Sequence, residues 1–350
     1  MYDTPKHISF ISDQTVGSVL NEKQNIQSLI EIPVNATVEE AFDLLLAENI
    51  LSVPVYRRWR GRREPIAIVN VFDLVTFVAL QPVFDQDDSN NNTLVSLSDA
   101  DLESNSEFLQ RSIGELIGLT PESTNLATVS PDDSLIKLIN IFTRKQIHRL
   151  LVFDRQALID EDGNDSFNEE EHKKPCFISQ TDAVRFLFKH NHELGKVLDT
   201  PASEVANKAC KLIPERQRLL CKPSSVTIHD QALTAFRRIH QDRVNAVVVV
   251  DDDGSLVGEV SAADLRGLNR ERVKELKKPV IAFLKSCKGA LIEPLTCSAK
   301  FTLSQVIAGI IRNKTHRAWL VDDDDIPIGV ITLSDILCMF LPNGEDANGH

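Results

Sequence analysis

Two dipeptides and three short motifs place side chains suited to gripping a charged small molecule. His148–Arg149 and His316–Arg317 each set a guanidinium beside an imidazole. An Arg fork takes phosphate oxygens bidentately, and a neighbouring His adds a donor that strengthens on protonation. Arg243 is a further cation just ahead of the apolar run NAVVVV. Ser179/Asp182, Ser261/Asp264 and Thr332/Asp335 put a hydroxyl three residues before a carboxylate at the start of a helical segment. A carboxylate so placed can accept sugar hydroxyls, as acidic residues do in dinucleotide folds. The same spacing is also an ordinary helix cap, and a single His-Arg dipeptide suits a solvated surface equally well. Recurrence of both elements at matching places favours a nucleotide pocket, with phosphate on Arg and His, sugar on Asp, and apolar strand residues against the base.

Those residues sit in a unit that occurs four times. Helical stretches begin at Thr37, Ser134, Asp230 and Thr302, each at or near a residue able to cap a helix, with apolar residues recurring at steps of three and four. The runs LSVPVY (from Leu51), HRLLVFD (from His148), NAVVVVD (from Asn245) and HRAWLVD (from His316) then read as strands covered on both faces. After a polar turn, second strands end at Asp73, Asp182, Asp264 and Asp335, and apolar helical segments follow. The separations between these Asp residues are 109, 82 and 71, so the first two copies carry insertions.

This helix–strand–strand–helix pattern resembles the cystathionine β-synthase (CBS) domain over roughly residues 10–345. The motifs KQIHRLLVFD, DRVNAVVVVDDDG and KTHRAWLVD, each completed by [ST]-x-x-D, carry the resemblance. With His-Arg pairs in copies 2 and 4, the chain is similar to the γ regulatory subunit of AMP-activated protein kinase and its plant and fungal relatives. The resemblance implies an α/β (α+β) fold of four tandem CBS repeats. These form two pseudo-symmetric CBS-pair modules, copies 1 with 2 and 3 with 4, closing into a disc. Expected bounds are 10–80 for CBS 1, 81–110 for an acidic linker, 111–190 for CBS 2 with an acidic insertion at 154–175, 193–270 for CBS 3, 277–342 for CBS 4 and 343–350 for a tail. It further implies AMP, ADP or ATP as a regulatory ligand without a cofactor or metal. The expected role is allosteric rather than catalytic, with a kinase catalytic subunit and a β-type subunit as partners. Departures from that family are Leu51 at the place of a phosphate-binding Arg in copy 1, Asn70 in place of its hydroxyl residue, Asn245 opening the strand of copy 3, and Asp182 where the animal subunit has a basic residue. They leave open a second class of function, a nucleotide-independent CBS scaffold or a regulator of another enzyme such as a phosphatase. S-adenosylmethionine is a third, weaker choice of ligand.

Composition narrows the field. Of 350 residues, 42% are hydrophobic and 25% charged, the balance of a soluble globular chain. Lys and Arg total 38 against 51 Asp and Glu, a net charge of −13, which argues against a general nucleic-acid coat. No apolar run approaches the roughly 18 residues of a membrane span, and the N-terminus lacks the n- and h-regions of a secretory signal. A cytoplasmic and nuclear location is therefore expected. The six cysteines are scattered, without the paired spacing of a zinc site, and read as reduced thiols. No nucleotide-loop, zincin, serine-hydrolase or Gly-rich dinucleotide motif is present, and the four copies leave no room for a separate catalytic domain. Residues 57–63, RRWRGRR, hold five Arg and read as a solvated hairpin turn or as a recruiting site for an acidic partner, a phosphate or RNA. The stretches 81–110 (seven acids, no base) and 154–175 (eight acids, three bases) read as loosely held loops.

Overall fold

The computed structural model describes residues 5–23, 29–84, 106–124, 126–144, 147–153, 175–212 and 223–341. Most of the two acidic stretches, and Cys221, lie outside the described residues. Each copy contributes one three-stranded sheet, ordered β1-β2-β3, β4-β5-β6, β7-β8-β9 and β10-β11-β12. The strands are β1 Ile32–Pro33, β2 Ser52–Trp59 and β3 Arg62–Asn70; β4 Thr128–Val129, β5 Arg149–Val152 and β6 Cys176–Ser179; β7 Ser225–Thr227, β8 Ala246–Val250 and β9 Leu256–Ser261; and β10 Thr296–Ser298, β11 Arg317–Val321 and β12 Pro327–Thr332. In every sheet the first pair is parallel and the second antiparallel. A parallel pair needs a crossover, and the first helix of each copy supplies it. These are α3 (Val38–Ala47), α6 (Leu135–Arg144), α9 (Ala232–Gln241) and α11 (Leu303–Asn313).

The helix boundaries follow from local chemistry. Thr37 and Glu40 form a capping box on α3, and Thr302 with Gln305 does the same for α11. The second helices start where a strand ends: α4 (Val71–Ala79) at Asn70, α7 (Gln180–Lys189) at Ser179, α12 (Leu333–Cys338) at Thr332, and in copy 3 a short 3-10 turn (Ala262–Leu265) at Ser261.

Pairing of the copies is set by segments that lead into them. Residues 6–21, with α1 (Lys6–Ser12) and α2 (Val16–Asn21), precede copy 1 but dock on copy 2, through Val16 N donating to Asp133 O and Leu135 N to Gln14 O, both 2.8 Å. The segment before copy 2 docks on copy 1 in return: Val38 N to Arg111 O is 2.9 Å and Ile113 N to Ala36 O 2.8 Å. Copies 3 and 4 repeat the exchange. The helix α8 (Ala202–Leu212) leads toward copy 3 and docks on copy 4, where Ala202 N donates to Phe301 O at 2.7 Å; α10 (Val280–Lys288) precedes copy 4 and docks on copy 3, where Val280 N donates to Asp230 O at 2.8 Å.

Helix packing then joins the two modules. α4 of copy 1 packs on α9 of copy 3, and α12 of copy 4 packs on α6 and α7 of copy 2. One apolar core accordingly runs through copies 1 and 3 and another through copies 2 and 4. Phe42, Phe142, Phe236 and Phe283 are fully buried in them, each contributing roughly 1.5–3 kcal/mol by leaving water. Phe236 and Phe283 meet edge to face, 5.5 Å apart at 84°. The sheets of copies 3 and 4 touch through Ala246, Val248 and Trp319. Contacts 1–2, 2–4, 4–3 and 3–1 close a ring of four units, the disc.

Among the described residues no helix is long and apolar enough to cross a membrane. Cys176, Cys287, Cys297 and Cys338 form no disulfide with one another, and burial pushes the Cys297 thiol up to about 12, which leaves it unreactive.

Candidate functional site

The four repeats meet around a cleft of about 1780 Å³. Among the described residues, eight Lys and Arg line it against six Asp and Glu, a reversal of the chain's overall balance. Both His-Arg pairs and Arg243 are in this lining.

Strand register fixes where the pairs act. Arg149 lies opposite Ser179, and Arg317 opposite Thr332, so each Arg opens its strand beside the hydroxyl residue of its own copy. The same register in copy 1 pairs Ser52 with Asn70, and in copy 3 pairs Ala246 with Ser261. The counterpart of Arg149 in copy 1 is therefore Ser52, one residue on from the Leu51 expected from the sequence. Asn245 of copy 3 stands where His148 and His316 stand in theirs.

In the first module a buried carboxylate organises the pair. Glu122, on a short helix α5 (Pro121–Thr124), accepts from the backbone N–H of His148 at 3.0 Å and of Arg149 at 3.3 Å. Its other oxygen accepts from Asn70 Nδ2 at 2.6 Å and meets His148 Nδ1 at 3.1 Å. Burial alone would raise the Glu122 pKa, but His148, its N–H groups and Arg149 outweigh burial and hold it below the ordinary value. On its far side His148 Nε2 lies 3.2 Å from Asn245 Nδ2 of copy 3. The ring of His148 thus bridges copy 1's docked helix and copy 3.

Arg149 donates Nη1 to the neutral Ser52 Oγ at 3.0 Å. Burial disfavours its charge; Glu122 and Asp182 oppose that, while Arg266 adds to it. Among the described residues no carboxylate forms an ion pair with Arg149. Four of its five N–H donors remain for a ligand in that count.

The second module treats its Arg differently. Arg317 Nη1 lies 3.4 Å from both oxygens of Glu259, on β9 of copy 3, and Glu259 also accepts from Trp319 Nε1 at 2.7 Å. Burial would raise Glu259, but Arg317 and Trp319 hold it low. His316 is exposed and lines the cleft. Loss of water first, then Arg317, Arg149 and His148, lower its pKa to about 4. The two His-Arg pairs thus act on one another across the disc, and His316 is neutral at pH 7. Arg243 is exposed on the cleft wall and sits at a left-handed φ of 53°.

The Asp residues carry out the capping role in every copy. Asp182 Oδ2 accepts from Ser179 N and Oγ at 2.9 and 2.7 Å, Asp264 Oδ2 from Ser261 N and Oγ at 2.8 and 3.2 Å, and Asp335 Oδ2 from Thr332 N and Oγ1, both 2.7 Å. Asp182 and Asp335 line the cleft, so capping and ligand binding are not exclusive there. Docked lead segments add a donor to Asp182, Asp264 and Asp73. Lys23 reaches Asp182 at 3.0 Å, Lys288 reaches Asp264 at 3.0 Å, and in copy 1 Thr120 and Ser123 both donate to Asp73 Oδ1 at 2.6 Å. Asp73 is fully buried. Burial raises its pKa to about 6 against the pull of those hydroxyls and of Asn70 N. The acidic turns at Asp251 and Asp322 bond their own backbone N–H groups, and no cluster of metal-ligating residues occurs among the described residues.

Glu122, Ser52, Glu259, Lys23 and Lys288 are site residues that no local motif marked. Each comes from another copy or a lead segment, so only the packing of the ring brings it in.

Comparison with known proteins bears on the family and the fold. The model of the CBS domain matches residues 115–164, 219–270 and 290–341. The chain is 25% identical over 340 residues to the SNF1-related protein kinase regulatory subunit gamma-like PV42a of Arabidopsis thaliana, covering 88% of this chain and 90% of that one. It is 30% identical to the human 5'-AMP-activated protein kinase subunit gamma-3 over 64% of this chain and 42% of that protein. Protein SDS23 of Kluyveromyces lactis is 24% identical over 88% of this chain and 59% of its own length. In fold, the chain is similar to protein MJ1225 of Methanocaldococcus jannaschii, with a TM-score of 0.64, 14% identity, and coverage of 92% of this chain and 99% of that one.

Proposed function

The chain is a CBS-domain protein homologous to γ-type regulatory subunits of SNF1-related and AMP-activated kinases, and we propose that it is an adenine-nucleotide-sensing regulatory subunit of a protein kinase. The observation that carries this reading is Arg149: a desolvated guanidinium in a cation-rich cleft, bonded to a neutral hydroxyl. A phosphate is the ligand that relieves that arrangement, since charge-assisted Arg–phosphate bonds are strong and geometrically specific. Arg317, His316, His148 and Arg243 supply further positive or polar surface for the phosphate chain. Asp182 Oδ1, which no described residue engages, suits a ribose hydroxyl. Asp335 also lines the cleft at the matching place in copy 4, and copy 1, with Asp73 saturated, takes none.

Sensing requires the nucleotide to bind two states of the disc unequally; about 1.4 kcal/mol of difference gives tenfold regulation. The states are those with and without the kinase catalytic and β-type subunits. The chain itself carries out no chemistry in this reading. Calorimetric titration of the nucleotide-stripped chain with AMP, ADP and ATP, with S-adenosylmethionine as control, tests it. Dissociation constants near micromolar, roughly −8 kcal/mol, are expected for at least one adenine nucleotide. Absence of binding up to millimolar concentration overturns the reading.

A second reading, a scaffold that does not use nucleotide, is favoured by Asp73 and Asp264, whose carboxylates are filled by the chain's own Thr120, Ser123 and Lys288. Pulldown from cell extract separates the two. A kinase recovered with its β-type subunit supports the sensor, and a phosphatase or other client supports the scaffold.

A further inference from the structure

The β2–β3 hairpin of copy 1 is built unlike its three counterparts. Its ladder runs through eight residue pairs, against four, five and five in the other copies among the described residues. The additional length projects: Arg57 through Glu64 are all exposed, and none of them lines the central cleft. Five of these residues are Arg and one is Trp59, 61% exposed.

The ladder arranges them into two cationic faces. On one, Trp59 pairs with Arg62 and Arg57 with Glu64, while the guanidiniums of Arg57 and Arg60 lie 6.0 and 5.9 Å from the Trp59 ring. On the other, Arg58 stands directly opposite Arg63, which lies 4.9 Å over Tyr56. Like charges facing each other across a ladder destabilise it. Glu64 at 2.7 Å from Arg57 and Glu31 at 3.6 Å from Arg63 are the acids paired with this arm, and neither bonds Arg58. At the tip, Arg60 (φ 48°) and Gly61 (φ 81°) both take left-handed backbone. That turn accepts Asn or Gly at little cost, and a long side chain there is strained. An exposed Trp held by two Arg, an Arg58 with no acid partner among the described residues and a strained Arg at the tip all add positive charge or contact area beyond what the hairpin needs to form.

We propose that this arm docks an acidic segment of a partner protein. Carboxylates spaced along an extended peptide would sit between Arg58 and Arg63, making charge-assisted, bidentate contacts, and a peptide that wraps the tip would also meet Arg62 and Trp59 on the other face. Three strand residues span only about 10 Å, which suits a short peptide. A long polyanion continuing past the arm meets a body of net charge −13, so a peptide is favoured over RNA.

The test uses the full chain and a short fluorescein-labelled peptide of alternating Glu and Ser, read by anisotropy. The Gln/Ser version and a single-stranded RNA of equal length serve as comparisons. The acidic peptide should bind more tightly than either, and weaken with salt. Arg58→Glu/Arg63→Glu should lower its affinity by at least about tenfold, and Trp59→Ala by less. These positions are exposed, so folding is retained, and circular dichroism checks it. Equal binding of the Gln peptide, tighter binding of RNA, or unchanged affinity in the double variant overturns the proposal. Binding that emerges only when the acids of residues 81–110 are changed to Gln overturns it too, because the arm would then be occupied by the chain itself.

Discussion

The two modules follow one plan yet leave different groups open. Arg149 and Arg317 have the same register, the same preceding His and the same place at the mouth of the cleft. One faces a serine of the neighbouring copy, the other a glutamate. An anion reaching Arg149 displaces nothing charged, whereas one reaching Arg317 competes with Glu259 in a partly desolvated ion pair. The asymmetry extends to the carboxylates. Asp182 is engaged through one oxygen by both its cap and Lys23, while Asp264 has Lys288 on the oxygen its cap leaves over. A binding motif therefore marks a place in the fold, and the adjoining repeat decides whether that place is ready for a ligand.

The strongest way to break the comparison is to give Arg149 what Arg317 already has. Ser52→Asp places a carboxylate beside Arg149 and should weaken AMP binding by about tenfold or more, since one charge-assisted contact contributes roughly 1.5–3 kcal/mol; calorimetry measures it. The converse change, Glu259→Gln, frees Arg317 and should tighten nucleotide binding about fivefold. The same variant loses stability in urea by roughly 1–3 kcal/mol, because a buried cation is left unpaired.

Next in size is a pH effect. At the cleft wall, partial loss of water and the flanking cations lower the His316 pKa to about 4, below its ordinary value of about 6.5. A bound phosphate favours the imidazolium and raises that pKa, so binding takes up a proton. Affinity should rise severalfold as pH falls from 8 toward 5 and be lost again as pH rises; His316→Gln should flatten the profile. The smallest effect concerns Lys288→Ala, which uncovers Asp264. A gain of about twofold in affinity, without a change for nucleotide held on Asp182, is expected from a partly exposed ion pair, and competition titration with labelled AMP reads it.

Much of this architecture was legible in the sequence because it is local. The four β-branched runs gave the sheets, the [ST]-x-x-D spacing gave real helix caps, and both His-Arg pairs do reach one cleft. What local pattern could not carry was anything set by distance along the chain. Glu122 acts on His148 from 26 residues away, Ser52 meets Arg149 across 97, and Glu259 meets Arg317 across 58. The exchange of lead segments, which brings Lys23 to Asp182 across 159 residues, leaves no periodicity to read. Register was the other limit. An apolar run shows that a strand exists, but only its ladder shows that Ser52 rather than Leu51 occupies the Arg position.

The central claim is that Arg149 is the open phosphate anchor and Arg317 a partly satisfied one. Calorimetric titration of AMP into the stripped parent chain, Arg149→Ala and Arg317→Ala tests it most directly. The account predicts that Arg149→Ala lowers affinity by about a hundredfold, near 2.7 kcal/mol, and Arg317→Ala by about tenfold or less. Equal losses, a larger loss for Arg317→Ala, or no loss in either would contradict it.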